Sequence, residues 1–246
     1  GSKEIWSLSS QLKKDNLTLR PQVGARPASI LMTLEGTINP MRQHQAYREI
    51  ENLPVAERRA KLREHGFRAR VLSEEKMLPR SKDALRMMNN YETIWVMDES
   101  LSYEPTHEDS VAFLAHARKQ DPLEVVMDTL AEGSPLLVMF GRYPGHLEGQ
   151  RALIEDARSV FGLSDGGAHC GVLVDASVPT YMLTYFTRDR ERGPKMTPEF
   201  IVHKMTRDTA ELYGLDDRGL VKAGFKADFN VIDYENLSLH KPEMVY

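Results

Sequence analysis

An acidic residue, two glycines and a histidine follow a short apolar segment in this sequence. The run GLSDGGAH occupies residues 162–169, directly after the apolar stretch that begins at Ser159. At the carboxyl end of a strand in an α/β protein, an Asp can move a proton or bind a metal that activates water. We therefore predict Asp165 as the catalytic residue and as a candidate metal ligand. The alternative is a strand-ending turn, in which Asp-Gly is common.

The histidine of this run, His169, lies four residues after Asp165 in the same predicted loop. It is predicted to bind substrate, and from that loop it could also orient Asp165 or touch a metal. The alternative is a loop histidine whose ring bonds to the backbone.

Three further side chains follow strand candidates or the predicted catalytic loop. Arg26 ends a strand candidate, Tyr143 follows an apolar run, and Arg188 lies in the TRDRERG run beyond the loop. A guanidinium can grip a substrate carboxylate with two hydrogen bonds, and a tyrosine hydroxyl can hydrogen-bond the scissile carbonyl. We predict all three as substrate-binding residues. The alternatives are solvated charges for the arginines and loop packing for the tyrosine.

The hydrophobic pattern predicts the elements that must position these side chains. Strands are predicted within residues 17–21, 93–97, 135–140, 159–163 and 227–233. Helices are predicted over residues 4–14, 106–120, 121–133, 148–157 and 197–213. The run Pro135–Phe140 is wholly apolar, as strands of parallel sheets are. The order of elements indicates a parallel α/β architecture, although these strands are too few to close an eight-stranded barrel.

Residues 40–90 differ in composition from the rest of the chain. They are rich in Arg, Glu and Met, and Leu53-Pro54 is typical of a helix start. We predict two or three short helices joined by loops. A block of this kind between α/β units is interpreted as an insertion that covers a site.

Length and composition exclude several classes of protein. The chain has 246 residues, 41% of them hydrophobic, and a formal net charge of -4, with no basic block that would indicate a nucleic-acid partner. The single cysteine, Cys170, excludes an internal disulfide and fits a reducing compartment, so a cytoplasmic location is expected. The longest apolar stretch, residues 136–140, is far too short for a membrane span. Gly1-Ser2 is interpreted as the remnant of a removed tag.

Two stretches together resemble the amidohydrolase superfamily. One is the SDGGAH run at 164–169, and the other is GLDDRGLVKAGFKADFNVID at 214–233. In that superfamily the last barrel strand ends in an Asp, and the chain later returns to a small β-domain through a pattern of glycines and an Ala-Asp strand start. The residues that match this pattern are Gly219, Leu220, Gly224, Ala227, Asp228, Val231 and Asp233. We interpret these as structural residues.

The finer resemblance is to the N-acyl-D-amino-acid deacylase, or D-aminoacylase-like, branch. It rests on both stretches together with PQVGARP at 21–27, DASVPTYMLTYFTRDRERG at 175–193 and KMTRDTAELYGLDDRG at 204–219. The resemblance implies a Zn2+-dependent hydrolase of small N-acyl-D-amino acids, in which the metal and Asp165 act together on water. It also implies a (β/α)8 TIM-like barrel with a flanking β-sandwich.

The sequence departs from this family at the metal site. The family has a His-x-His pair at the end of the first barrel strand, whereas no two of the 8 histidines here are two residues apart. We therefore expect residues 3–213 to form the last strands of the barrel, with the helical insertion at about 40–90. Residues 214–246 are expected to return toward the flanking β-domain. The other metal ligands would come from a missing N-terminal barrel half or another chain, and a homo-oligomer is a candidate assembly.

Two other functions stay open. One is a non-catalytic fragment that is stable only by association, because a truncated parallel sheet leaves an unpaired edge and an apolar face. The other keeps the superfamily and changes the substrate to a cyclic amide or imide, as in dihydroorotase- or hydantoinase-like enzymes.

Overall fold

The structure is a computed structural model of the chain. It describes residues 2–14, 19–77, 87–97, 102–140, 143–162, 164, 171–172 and 175–240. Of the helices within these ranges, none has both the length and the apolar composition that a bilayer span requires.

The described residues contain both helices and strands, as the α/β class requires. The strands are β1 (Gln22–Val23), β2 (Ser29–Met32), β3 (Ile94–Val96), β4 (Leu136–Met139) and β5 (Val160–Phe161). The helices are α1 (Ser2–Lys14), α2 (Gln45–Ile50), α3 (Val55–Arg63), α4 (His65–Ser73), α5 (Val111–Arg118), α6 (Pro122–Glu132), α7 (Glu148–Glu155), α8 (Val178–Thr184), α9 (Pro198–Met205) and α10 (Arg207–Leu212). A π-helical turn, Tyr185–Asp189, follows α8 directly.

The chain forms two compact units. The first unit comprises Gly1–Pro27, Leu147–Asp165 and Asp175–His240. The second unit comprises Ala28–His146, Gly166–Val174 and Lys241–Tyr246. The predicted domain boundaries, the barrel and the β-sandwich stay predictions.

A parallel pair of strands that are distant in sequence organises the first unit. β1 and β5 pair in parallel, with Gln22 opposite Val160 and Val23 opposite Phe161. The ladder continues to Gly162, whose N–H donates to the Val23 carbonyl at 3.3 Å. A Cβ at Gly162 would lie 2.8 Å from the Gln22 side chain. A larger residue at this position would therefore require the Gln22 side chain to shift.

A buried lysine anchors the start of β5. Lys204, on α9, is 3% exposed, and its ammonium donates to the carbonyls of Asp156 at 3.1 Å and Ser159 at 3.0 Å. The same ammonium lies 3.2 Å from the Asp208 carboxylate. Arg20 also donates to the Ser159 carbonyl, at 2.9 Å. A buried ammonium is tolerated only when it is paired and hydrogen-bonded, as this one is.

The second unit is built on an antiparallel sheet. The strand order is β2-β4-β3, and Val138 on the central strand faces both Ile30 and Ile94. All four residues of β4 are buried. The sheet and the surrounding helices share one apolar core, which includes Met32, Met41, Tyr47, Leu62, Val126 and Leu130.

The helices agree well with the sequence pattern. α6 begins at a capping box headed by Asp121 and ends at Gly133, which adopts φ 91°. The short helices predicted within residues 40–90 are confirmed as α2, α3 and α4. The single helix predicted over 197–213 is instead two helices, α9 and α10, divided at Thr206.

Two expectations for the strands are wrong. The run Pro135–Phe140 is not a parallel strand, because β4 is antiparallel to both neighbours. A central strand covered on both faces is apolar in either direction, so its composition does not encode the direction. Residues 227–233 form no strand and are exposed, with Phe229 at 66% and Val231 at 102%. Alternation defines two faces, but a strand also needs a partner, and none of the described strands pairs with this stretch.

Replacing the buried lysine tests the anchor of β5. Lys204→Met should lower the free energy of unfolding by about 3 kcal/mol, because it removes a buried charge and leaves its acceptors without that donor. Chemical denaturation followed by circular dichroism measures the change.

The matched control is Lys226→Met. Lys226 lies 2.9 Å from Asp228, but both side chains are largely exposed, so a change of at most about 1 kcal/mol is expected. Equal losses of stability in the two variants would contradict the anchoring role of Lys204.

Candidate active site

The parallel pairing of β1 and β5 defines one edge of the first unit. The carboxyl ends of both strands lie at that edge, which is where α/β proteins build their sites. Arg26 lies three residues beyond the end of β1, and Ser164 lies three residues beyond the end of β5. The topology therefore starts the Arg26 loop and the SDGGAH run at the same edge.

Arg26 is buried, with 4% of its surface exposed. Its Nη2 donates to the Ser177 hydroxyl at 3.3 Å, and the guanidinium carbon lies 5.3 Å from the centroid of the Tyr181 ring. α7 holds the preceding backbone, since the Gln150 side chain donates to the Gly24 carbonyl at 3.2 Å. A guanidinium keeps its charge when it is buried, so Arg26 brings a permanent positive charge to this edge.

Two neighbouring aromatic rings hold Tyr181 in place beneath Arg26. Tyr185 stacks on Tyr181, with ring centroids 4.7 Å apart and planes at 12°. Phe186 meets Tyr181 edge-on at 6.1 Å. Both neighbours belong to the π-helical turn after α8, a type of distortion that is frequent at functional sites. The Tyr181 ring, which contacts Arg26, is therefore held in place by the two rings of the turn that follows α8.

A second buried arginine extends this cluster. Arg190 is 0% exposed, and its Nη1 lies 2.8 Å from the Glu148 carboxylate. Its guanidinium lies 5.6 Å from the centroid of the Phe186 ring. Hydrogen bonds from Arg151 and Arg190 hold the pKa of the Glu148 carboxyl below its usual value. The ion pair therefore forms at neutral pH and ties α7 to the segment after α8.

Two predicted site residues lie outside the described part of the chain. They are Asp165, predicted as catalytic and as a metal ligand, and His169, predicted to bind substrate. Their roles stay predictions from the sequence.

Arg188 lies on the π-helical turn and binds the backbone of residues 234–237. Its guanidinium donates to the carbonyls of Tyr234 and Leu237 and pairs with the carboxylate of Asp189. Contacts with several backbone carbonyls are typical of an arginine that holds a chain segment in place. Its predicted contact with substrate stays a prediction.

Tyr143 belongs to the second unit. Its hydroxyl donates to the Pro105 carbonyl at 2.8 Å, and its ring meets the Trp95 ring edge-on at 5.3 Å. These contacts match the loop-packing alternative, because the hydroxyl proton is used within the unit.

A metal site needs several ligands close together. Within the residues that the structure describes, no three or more His, Cys, Asp or Glu side chains form a group that could hold a metal ion. Zinc in proteins takes three or four such ligands. The described residues therefore do not by themselves form a zinc site.

Sequence reasoning missed Ser177 and Tyr181, the two residues described above as contacts of the Arg26 guanidinium. Both lie in the stretch 175–193, and their spacing of four residues puts them on one helix face. That spacing is a signal for a shared face. It does not reveal what the face contacts, because Arg26 is distant in sequence.

Comparison with known proteins identifies one family. The model of a family described as amidohydrolase family matches residues 9–246, a range that includes Arg26, Asp165 and Tyr181. A search of curated proteins and a search of solved structures each gave no match.

The two interpretations of Tyr143 differ in what its hydroxyl does. Tyr143→Phe should lower the free energy of unfolding by about 1 kcal/mol, because the hydrogen bond to the Pro105 carbonyl is lost. Thermal unfolding measures this loss, with Tyr213→Phe as the control, since Tyr213 is 63% exposed. A variant with unchanged stability and a reduced kcat would instead favour contact with substrate.

Proposed function

Because the chain belongs to the amidohydrolase family, whose members are metal-dependent hydrolases of amide and other C–N bonds, we propose that it deacylates N-acyl-D-amino acids. Water adds to the amide carbonyl and the C–N bond breaks. The products are the carboxylate of the acyl group and the free amino acid. Asp165 takes a proton from the attacking water and delivers it to the leaving nitrogen.

The observation that supports this substrate class is the buried guanidinium of Arg26. An N-acyl amino acid carries a carboxylate next to the amide, and a guanidinium binds a carboxylate with paired, charge-assisted hydrogen bonds. Burial of Arg26, at 4% exposure, reduces the screening of its charge by water and strengthens that attraction. The D configuration rests on the resemblance of the segments that contain Arg26, Asp165 and Tyr181.

The position of Arg26 also bears on Asp165. The two residues follow β1 and β5, which end at the same edge of the first unit. A substrate held by its carboxylate at Arg26 would present an amide bond to the loop that contains Asp165. In this proposal the binding group comes from the segment after β1, and the proton-transfer group comes from the segment after β5.

The cyclic-amide alternative makes a different demand on this edge. A hydantoin offers Arg26 no carboxylate to bind, whereas the substrate of a dihydroorotase-like enzyme carries one. The buried arginine therefore favours an acyclic N-acyl amino acid over a hydantoin.

Substitution of Arg26 tests the substrate class. Arg26→Met should raise the KM for N-acetyl-D-methionine about 10- to 100-fold, because a charge-assisted pair is lost. The KM for N-acetyl-D-methioninamide, which lacks the carboxylate, should change less than about 2-fold. Steady-state kinetics with added Zn2+ measures both constants.

The matched control is Arg158→Met in the same unit. This substitution should lower thermal stability and leave the ratio of the two KM values unchanged, because Arg158 binds the carboxylate of Asp156. An unchanged KM ratio in Arg26→Met, or preferential hydrolysis of a hydantoin by the unsubstituted chain, would contradict the proposed substrate class.

The role of Asp165 is tested by removing its charge. In the complete enzyme, Asp165→Asn should lower kcat about 100-fold or more, because an amide cannot accept the proton. Asp216→Asn is the control, since Asp216 is an exposed aspartate of the same chain. Near-normal turnover of Asp165→Asn would remove Asp165 from the mechanism.

A further inference from the structure

We propose that Tyr181 is a positioning residue that sets the orientation of the Arg26 guanidinium for carboxylate binding. This inference rests on the proposed function and adds to it a residue that does not touch the substrate. The Arg26 guanidinium contacts α8 and the residue just before it.

Tyr181 on α8 and Ser177, the residue that precedes the helix, contact the same guanidinium. Tyr181 is 2% exposed, and its ring centroid lies 5.3 Å from the guanidinium carbon of Arg26. Ser177, four residues earlier at the start of the helix, accepts a hydrogen bond from Nη2 of Arg26 at 3.3 Å. A ring face and a hydroxyl acceptor together constrain both the plane and the in-plane rotation of a guanidinium.

The Tyr181 ring is itself constrained. Tyr185 stacks on it at 4.7 Å and Phe186 packs against its edge at 6.1 Å. Arg190, paired with Glu148 at 2.8 Å, lies over the Phe186 ring. The Tyr181 ring therefore belongs to a packed cluster, and this cluster limits the movement of the Arg26 guanidinium that lies over it.

Fixing the guanidinium matters because the arginine side chain has many rotamers. A carboxylate that binds a mobile arginine must first order it, and that entropy weakens binding. A guanidinium already held in one plane presents its paired donors without this cost. The support should therefore act on substrate binding and leave the chemical step unchanged.

The test compares variants that keep or remove the aromatic face. Tyr181→Phe retains the ring and should leave the KM for N-acetyl-D-methionine within about 2-fold. Tyr181→Leu removes the ring and should raise that KM about 10-fold. In both variants kcat and the KM for N-acetyl-D-methioninamide should stay within about 2-fold of the unsubstituted chain.

A matched control exists in the second unit. Tyr91 is largely buried and lies beneath the Lys76 ammonium at 5.5 Å, so Tyr91→Leu removes a comparable contact far from Arg26 in sequence. It should leave the KM for the carboxylate substrate unchanged. An equal rise in KM for both substrates in Tyr181→Leu would show a purely structural role and overturn the proposal.

Ser177→Ala provides a second variant should Tyr181→Leu fail to fold. It removes the hydroxyl that accepts the hydrogen bond from Arg26 and should raise the KM for the carboxylate substrate about 3-fold, without effect on the amide analogue. An unchanged KM in Ser177→Ala, with Tyr181→Leu unfolded, would overturn the proposed orientation of Arg26 by α8.

Binding without turnover separates this inference from the proposed function. Titration calorimetry of N-acetyl-D-methionine into chelator-treated protein gives its Kd for each variant. If Arg26→Met binds as tightly as the unsubstituted chain, the proposed substrate contact itself is wrong. If Arg26→Met binds weakly while Tyr181→Leu binds normally, only the positioning role of Tyr181 is wrong.

Discussion

The parallel pairing of β1 with β5 is the constraint on which the first unit depends. Only two residues from each strand pair, yet this short ladder joins two parts of the chain that are far apart in sequence. Such a contact loses much chain entropy when it forms. It is therefore reinforced beyond the ladder, by Lys204 and Arg20 at the start of β5 and by the small size of Gly162 at its end.

Buried cations recur around this pair, and each has defined partners. Lys204 binds backbone carbonyls and the Asp208 carboxylate, and Arg190 pairs with Glu148. Arg26 donates to the Ser177 hydroxyl, and its guanidinium lies over the Tyr181 ring. A permanent positive charge near the carboxyl ends of two parallel strands is suited to an anionic ligand.

Family membership and the described structure bear on different parts of the function. The match over residues 9–246 identifies a hydrolase of C–N bonds, while the environment of Arg26 supports a substrate with a carboxylate. The metal chemistry of the family rests on ligands that the described residues do not assemble. The proposal for substrate binding therefore rests on the contacts of Arg26, and the proposal for catalysis rests on the sequence motif that contains Asp165.

The sequence by itself determined the family and most helices, and it contains the segments proposed to form the site. Helices form from local contacts, so periodicity and the capping residues of α6 were sufficient to predict them. The motif around Asp165 likewise needs only adjacent residues.

Only the tertiary structure decided in which direction β4 runs and whether residues 227–233 form a strand. The apolar run at β4 fits either direction, and the alternating residues 227–233 form no strand without a partner. It also decided what surrounds Arg26, since Ser177 and Tyr181 lie far away in the chain. The hydrophobic pattern of a segment shows which of its faces is buried and which is exposed to solvent. Strand pairing and side-chain contacts also depend on a second segment, which that pattern does not specify.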